Sequence, residues 1–271
     1  MKLSIVFVVT FFPCFLQSQV LNRFEVLPQQ KIVPVFTADA TAHRLGVTAM
    51  SINRRVSVSL GNIVPIADVE VYGQPLRIGV GASIHAEIEP DKKANLVTTD
   101  YIIDYALLDI PFANDWILRT GVGHASHHLS DDWYELLNKT SALKYSKDYV
   151  QLFVVKKIPE YNLFVYGGAI YTYNFIVNHE IHLPWMLQCG GEQVLASYVD
   201  NMLALYCALD MKVRQEASFA STQSYQFGVR IQNTTERTLR LAYQFRNGID
   251  ERGQFYTGRR SFHGLSLFAE F

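Results

Sequence analysis

Tyr225-Gln226-Phe227-Gly228-Val229-Arg230-Ile231-Gln232 sorts into two faces when every second residue is read. Tyr225, Phe227, Val229 and Ile231 fall on one side, and Gln226, Gly228, Arg230 and Gln232 on the other. Successive side chains of a strand point to opposite faces, so this is a strand with one apolar and one polar face. Leu76 to Ile88 repeats the split, with Leu76, Ile78, Val80, Ala82, Ile84, Ala86 and Ile88 against Arg77, Gly79, Gly81, Ser83, His85 and Glu87. In Arg237 to Arg246, Leu239, Leu241, Tyr243 and Phe245 oppose Arg240, Gln244 and Arg246. The chain ends on Leu265, Leu267, Ala269 and an aromatic, Phe271. Many long strands with a lipid-facing side and a polar side behind it predict an all-β fold, an antiparallel transmembrane β-barrel. The compartment that follows is a bacterial outer membrane.

Strands are expected near residues 44–60, 63–71, 76–89, 96–109, 116–126, 145–156, 161–175, 184–192, 202–214, 222–232, 237–247 and 260–271. That makes about 12, an even number, as bacterial barrels have. Three units follow: a signal peptide at 1–18, an irregular N-terminal segment at 19–43 outside the wall, and the barrel at 44–271. If the last strand ends in the periplasm, the connections at 72–75, 110–115, 157–160 and 233–236 are periplasmic. Those at 127–144 and 248–259 are then outer loops. Short turns and long loops sort as bacterial barrels require. The exceptions are 61–62, short for an outer loop, and 193–201, long for a periplasmic turn. A soluble β-sandwich is the competing fold, but it calls for shorter strands and a polar exterior.

Met1-Lys2-Leu3 through Phe12 gives one positive charge and an apolar run, with Pro13 and the small residue Ser18 after it. This reads as a secretory signal peptide. The run is shorter than the ~20 apolar residues of a membrane-spanning helix. The whole chain has 24 basic and 25 acidic residues, so removing Lys2 leaves a slight negative excess. Nucleic acid, which needs a basic footprint, is excluded as a partner. Mean hydropathy is +0.06, which excludes an all-helical membrane protein but not a barrel, whose alternation averages out. Cys189 and Cys207 remain after cleavage, either as free lipid-facing thiols or as a disulfide.

The fifth strand runs Trp116-Ile117-Leu118-Arg119-Thr120-Gly121-Val122-Gly123-His124-Ala125-Ser126-His127-His128. Parity with Leu118, Thr120 and Val122 turns His124 and Ser126 toward lipid, at the outer end of the strand. On the next strand, Ser146 and Asp148 share parity with Val150, Leu152 and Val154. Polar groups are costly where they reach hydrocarbon, so they need a reason. A histidine, a serine two residues on and a neighbouring acid or hydroxyl are the parts of a nucleophile, its base and the group that orients the base. The expected roles are Ser126 as nucleophile, His124 as base, and Asp148 or Ser146 as orienting group. Two other readings compete. These residues and His127, His128, Asp131 and Asp132 could form a headgroup-level polar belt, or the histidines and acids could bind metal, although their spacing matches no fixed motif.

His124-Ala125-Ser126 on an outward strand end resembles the His-x-Ser of outer-membrane phospholipase A and of the lipid A 3-O-deacylase barrel. That resemblance implies hydrolysis of lipid acyl esters at the barrel's outer surface, with membrane lipids as partners. For the first family it also implies a twelve-stranded barrel, a homodimer and calcium. This chain has His127-His128 where Asn-Gly follows the family's serine. A broader resemblance, to the bacterial domain of unknown function 1207, rests on Val33-Pro34-Val35-Phe36-Thr37-Ala38-Asp39, Gly123 to Asp132, Tyr145-Ser146-Lys147-Asp148, Asn247-Gly248 and Gly253-Gln254-Phe255-Tyr256. It implies an outer-membrane-type barrel and no particular activity. The alternative to a lipid hydrolase is a non-enzymatic barrel, structural or a narrow channel, whose interior is filled by Arg77, Arg119, Arg230, Arg240, Arg246, Glu87 and Gln244.

Overall fold

The computed structural model describes residues 21–90, 96–137, 145–176, 183–233 and 237–271. The expected signal peptide lies outside the described residues. Among the described residues thirteen strands form: β1 Leu21–Val26, β2 Leu45–Met50, β3 Val56–Val71, β4 Gln74–Ile88, β5 Leu96–Ala113, β6 Trp116–Leu129, β7 Tyr145–Ile158, β8 Leu163–Ile176, β9 Trp185–Tyr198, β10 Leu203–Arg214, β11 Ala220–Gln232, β12 Thr238–Ile249 and β13 Arg259–Glu270. A short helix, α1 Asp131–Leu136, follows β6. Strands β2 to β13 pair antiparallel with their neighbours in sequence, and β13 pairs back onto β2 from Gly264↔Met50 to Ala269↔Leu45. The result is a closed twelve-stranded barrel. Closure matters because a sheet edge within hydrocarbon would leave backbone polar groups unsatisfied. Strand β1 adds outside this ring, along the lower end of β3.

The first hairpin differs from its expected position. The chain turns at residues 51–55, where Asn53 and Arg54 have φ of 51° and 52°, and then runs unbroken from Val56 to Val71. Gly61 is not a turn glycine: it pairs with Ser83, and a Cβ there would lie 2.4 Å from the Ser83 Cβ. Strand β9 also runs on to Tyr198, so the next connection is only 199–202. Both exceptions to the loop pattern thereby disappear. One end of the barrel carries the connections at 72–73, 114–115, 159–162, 199–202 and 233–237, and the other those at 51–55, 89–95, 130–144, 177–184, 215–219 and 250–258, four of them longer than any at the first end. The tightest, Tyr72-Gly73, has positive φ at both residues, 51° and 76°, as a two-residue hairpin turn of the primed type demands.

Facing follows the alternation. On β11 and β12, Phe227↔Tyr243, Val229↔Leu241 and Ile231↔Leu239 pair on the exposed side, and Gln226↔Gln244, Gly228↔Ala242 and Arg230↔Arg240 on the inner side. The arginines Arg230 and Arg240 face each other, which is tolerable because Glu192 lies 2.9 Å from each. Arg240 also reaches Glu270 at 2.9 Å. Arg119 is held by Asp109 at 2.7 Å, Arg77 by Asp68 at 2.7 Å and Arg246 by Glu251 at 3.2 Å. Glu87 receives Arg55, Arg252 and Arg260 at 2.7, 2.9 and 2.6 Å. Replacing the exposed Leu241 by Arg should cost about 2–4 kcal/mol near the mid-membrane plane, read as a lowered unfolding midpoint in detergent or lipid.

The N-terminal segment takes no place in the wall beyond strand β1, and residues 27–44 run through the lumen. Val33 packs with Ile117, Phe153 and Val155, and Phe36 stacks on Tyr166 with ring centroids 3.7 Å apart. His43 bonds Asp104 at 2.8 Å and Ser83 at 2.9 Å. Asp39 meets Lys212 of β10 at 2.6 Å. This segment is a plug, and its apolar side chains pack against the buried apolar residues of an otherwise largely polar wall.

Candidate active site

Strands β6 and β7 pair Val122↔Val150, His124↔Asp148 and Ser126↔Ser146. Side chains directly opposite on one face have Cβ atoms about 4.5–5.5 Å apart, and diagonal neighbours about 7–8 Å, within reach of a long side chain. His124 therefore stands beside Asp148 and diagonal to Ser146. Its Nδ1 lies 2.6 Å from Asp148 Oδ1, and the Ser146 hydroxyl lies 3.3 Å from its Nε2. With Asp148 accepting the Nδ1 proton, Nε2 is left as an acceptor aimed at Ser146. His124 and Asp148 remain 27% and 25% exposed, open to the outside of the barrel.

Asp148 is itself held. Asn174 of β8 donates to its other oxygen, Oδ2, at 2.7 Å. A register shift between Asp148 and Tyr149 pairs Asp148 with Asn174 and Tyr149 with Thr172, leaving Tyr173 as the extra residue. Such bulges re-aim side chains, often beside active sites. Nothing in the sequence pointed to Asn174, because its place opposite Asp148 depends on that shift. Four elements of the expected set thus gather on one outward patch, but unequally. His124, Asp148 and Ser146 form a connected relay. Ser126 sits across the ladder from Ser146, and among the described residues its hydroxyl makes no hydrogen bond to His124.

The patch lies among exposed aromatic and aliphatic side chains. Ile103 and Tyr101 of β5 pair with His124 and Ser126, and Tyr105 and Tyr173 are more than half exposed. At the opposite end Phe112, Trp116, Tyr198 and Phe271 are exposed. Two aromatic girdles flanking an apolar band mark the two membrane interfaces, and the relay sits at the outer one.

The histidines and acids that a metal-binding reading would gather are dispersed. His127 and His128 belong to β6 rather than to the loop. His127 points inward, 3.1 Å from Asp100, and accepts the Gly253 backbone N–H at 3.2 Å. His128 points outward against Tyr101, with centroids 5.6 Å apart. Asp131 and Asp132 begin α1, which Ser130 caps. Among the described residues no three His, Cys, Asp or Glu side chains gather to hold a metal. Calcium takes six to eight oxygen ligands, and one chain's described residues supply no such set. Cys189 and Cys207 are free thiols on neighbouring strands.

A second gathering lies inside the outer mouth. Tyr145 donates to Glu216 at 2.8 Å and meets His127 and Tyr256 edge-on or tilted, at 4.8 and 5.5 Å between centroids. Gln254 donates to the His127 carbonyl at 2.6 Å. A Cβ on Gly253 would lie 2.4 Å from Tyr145 and 2.5 Å from His127, so only glycine fits. The Gly253-Gln254-Phe255-Tyr256 and Tyr145 segments, far apart in sequence, meet here.

Among solved structures, the chain is similar to Escherichia coli outer membrane phospholipase A in an active-site mutant form, with a TM-score of 0.56 and 14% identity over 89% of this chain and 94% of that one. It is also similar to the Salmonella typhi outer membrane phospholipase dimer with bound calcium, with a TM-score of 0.55 and 12% identity over 83% of this chain and 89% of that one. At such identities the likeness is one of fold. No curated protein matches the sequence. The closed barrel, its apolar belt and these outer-membrane neighbours place the chain in a bacterial outer membrane. Residues 33–271 match the family described as protein of unknown function (DUF1207), and the chain belongs to that family.

Proposed function

We propose that this barrel hydrolyses acyl esters of membrane lipids at its outer surface. The observation that carries the reading is the outward Ser146–His124–Asp148 relay, 3.3 and 2.6 Å long, at the outer aromatic girdle. In an open site without substrate, a serine–histidine distance slightly beyond about 3.2 Å is still serviceable. Ser146 Oγ attacks the ester carbonyl carbon while its proton passes to His124 Nε2. Asp148 holds the imidazole and stabilises its positive charge. The ester C–O bond then breaks, and the alcohol leaves with the proton from Nε2. Water attacks the acyl-serine, giving its proton to His124, and the fatty acid departs as Ser146 regains a proton. The sequence assigns the nucleophile to Ser126, which lies on the same patch; the hydrogen bond favours Ser146.

The rival reading is a non-enzymatic barrel, supported by the plugged lumen and its ion pairs. Purified protein in phospholipid or lipopolysaccharide mixed micelles separates the two. Fatty acid release lost in Ser146→Ala supports the relay as drawn. Release lost in Ser126→Ala but kept in Ser146→Ala moves the nucleophile two residues beyond His124. Release absent in the wild type, or unchanged in both variants and in His124→Ala, leaves the structural barrel. Since one solved neighbour is a calcium-bound dimer, the assay is run with and without calcium, and across protein concentrations.

A further inference from the structure

We propose that the lumen, just beneath the outer loops, contains a binding site for a small oxyanion, a phosphate or carboxylate group, centred on Lys147. The inference is independent of the hydrolase reading. Lys147 lies between Ser146 and Asp148 but on the opposite face of β7, so it points inward, like its buried neighbours Tyr145 and Tyr149. It lines a cavity of about 80 Å³. Its lining is part apolar, with Ile102, Ala125, Ile170 and Met186, and part charged, with three cations, Lys147, Lys212 and Arg214, against one carboxylate, Glu251.

These cations are not equally satisfied. Lys212 is saturated by Asp39 at 2.6 Å, Glu251 at 2.8 Å and Thr41 at 3.0 Å. Arg214 is 5% exposed; one terminal nitrogen donates to the Asp250 carbonyl at 2.6 Å and the other lies 3.6 Å from Glu216, but its Nε is buried with no partner. Lys147 makes no hydrogen bond or ion pair with any described residue. Its ammonium stands over the Tyr145 ring, 5.7 Å from the centroid. Glu216 acts on Lys147 only from a distance: its carboxylate accepts from the Tyr145 hydroxyl at 2.8 Å and pairs with a terminal nitrogen of Arg214 at 3.6 Å. An ammonium among apolar walls is costly unless paired. An oxyanion between Lys147 and the Arg214 Nε–H would satisfy both. The cavity has room for a phosphate- or acetate-sized group and none for an acyl chain. The anion could be free, or it could be the phosphate of a lipid headgroup entering from the outer mouth.

Thermal unfolding of the detergent-solubilised barrel tests this. Inorganic phosphate, compared with chloride at equal ionic strength, should raise the midpoint of the wild type by about 3 °C near saturation. Lys147→Met should show no phosphate shift, and its midpoint without phosphate should equal or exceed that of the wild type, because an unpaired charge has gone. If that variant does not fold, Lys147→Gln is read in the same way. A parallel arm adds lipid A micelles in phosphate-free buffer. A Lys147-dependent shift with phosphate supports a free anion, and one seen only with lipid A supports a headgroup. No shift in either arm, or an equal shift in wild type and variant, overturns the proposal.

Discussion

His124→Ala should lower fatty acid release from phospholipid micelles by about 10³-fold while leaving the barrel folded. General-base assistance contributes roughly 10²–10⁴-fold, and without the imidazole neither Ser146 nor Ser126 has a group to take its proton. Folding should survive because His124 is on the outer surface and takes no part in the luminal ion pairs. Migration on unheated gels therefore controls for collapse. Asp148→Ala should act through the same imidazole, since it frees Nδ1, now held at 2.6 Å, and leaves Asn174 without its acceptor. Asp148→Asn should fall less, as an amide oxygen can still accept from Nδ1. If His124→Ala keeps a tenth or more of wild-type release, the histidine is not the base, and the belt reading stands.

How far the sequence carried depended on what alternation can encode. It encodes facing. Leu241 and Arg240, or His124 and Gly123, fall on opposite sides because neighbouring side chains in a strand must, and the structure agrees. Alternation encodes register poorly. Leu60-Gly61-Asn62 looks like a turn, but Gly61 is there because Ser83 leaves no space for a Cβ, while the real turn at 51–55 uses Asn53, a turn former, followed by Arg54, which is not one, without glycine or proline. The plug was illegible because its side chains answer to the barrel interior rather than to any period: Val33 and Phe36 pack on one cluster of β6, β7 and β8, and Asp39 pairs with β10. In the site, parity placed His124, Ser126, Ser146 and Asp148 together. It could not choose between the serines, since that choice rests on a diagonal contact, and it missed Asn174, which a one-residue bulge brings into line.

Lys212→Ala should destabilise the barrel by about 3–5 kcal/mol, the largest stability effect expected of any single change here. Removing one partner of a buried ion pair leaves the other charge uncompensated, and Lys212 has two acidic partners. It is 3% exposed, and it joins the plug through Asp39 and Thr41 to the outer loop through Glu251. The loss should appear first in the plug. Residues 27–44 should become open to protease, and conductance in planar bilayers should rise, before the wall itself melts. Acid should act on the same clamp. Burial raises the Asp39 carboxyl, but the Lys212 charge and hydrogen bonds from Lys212, Gln188 and Thr41 outweigh it and hold that group well below the ordinary carboxylate range. Burial likewise works against the Glu251 charge, and Lys212 and Arg246 overcome it, again lowering the group. A carboxyl depressed in the folded state contributes stability above its unfolded value, near 3.9 for aspartate, and loses it as pH falls further. Wild-type stability should therefore hold through neutral pH and decline below about pH 4. Asp39→Asn should flatten that decline while lowering stability at pH 7. A variant with Lys212→Ala that keeps the wild-type unfolding midpoint and a closed, protease-resistant plug would show that the segment is held without this clamp, by its apolar contacts at Val33 and Phe36 and the hydrogen bonds of His43.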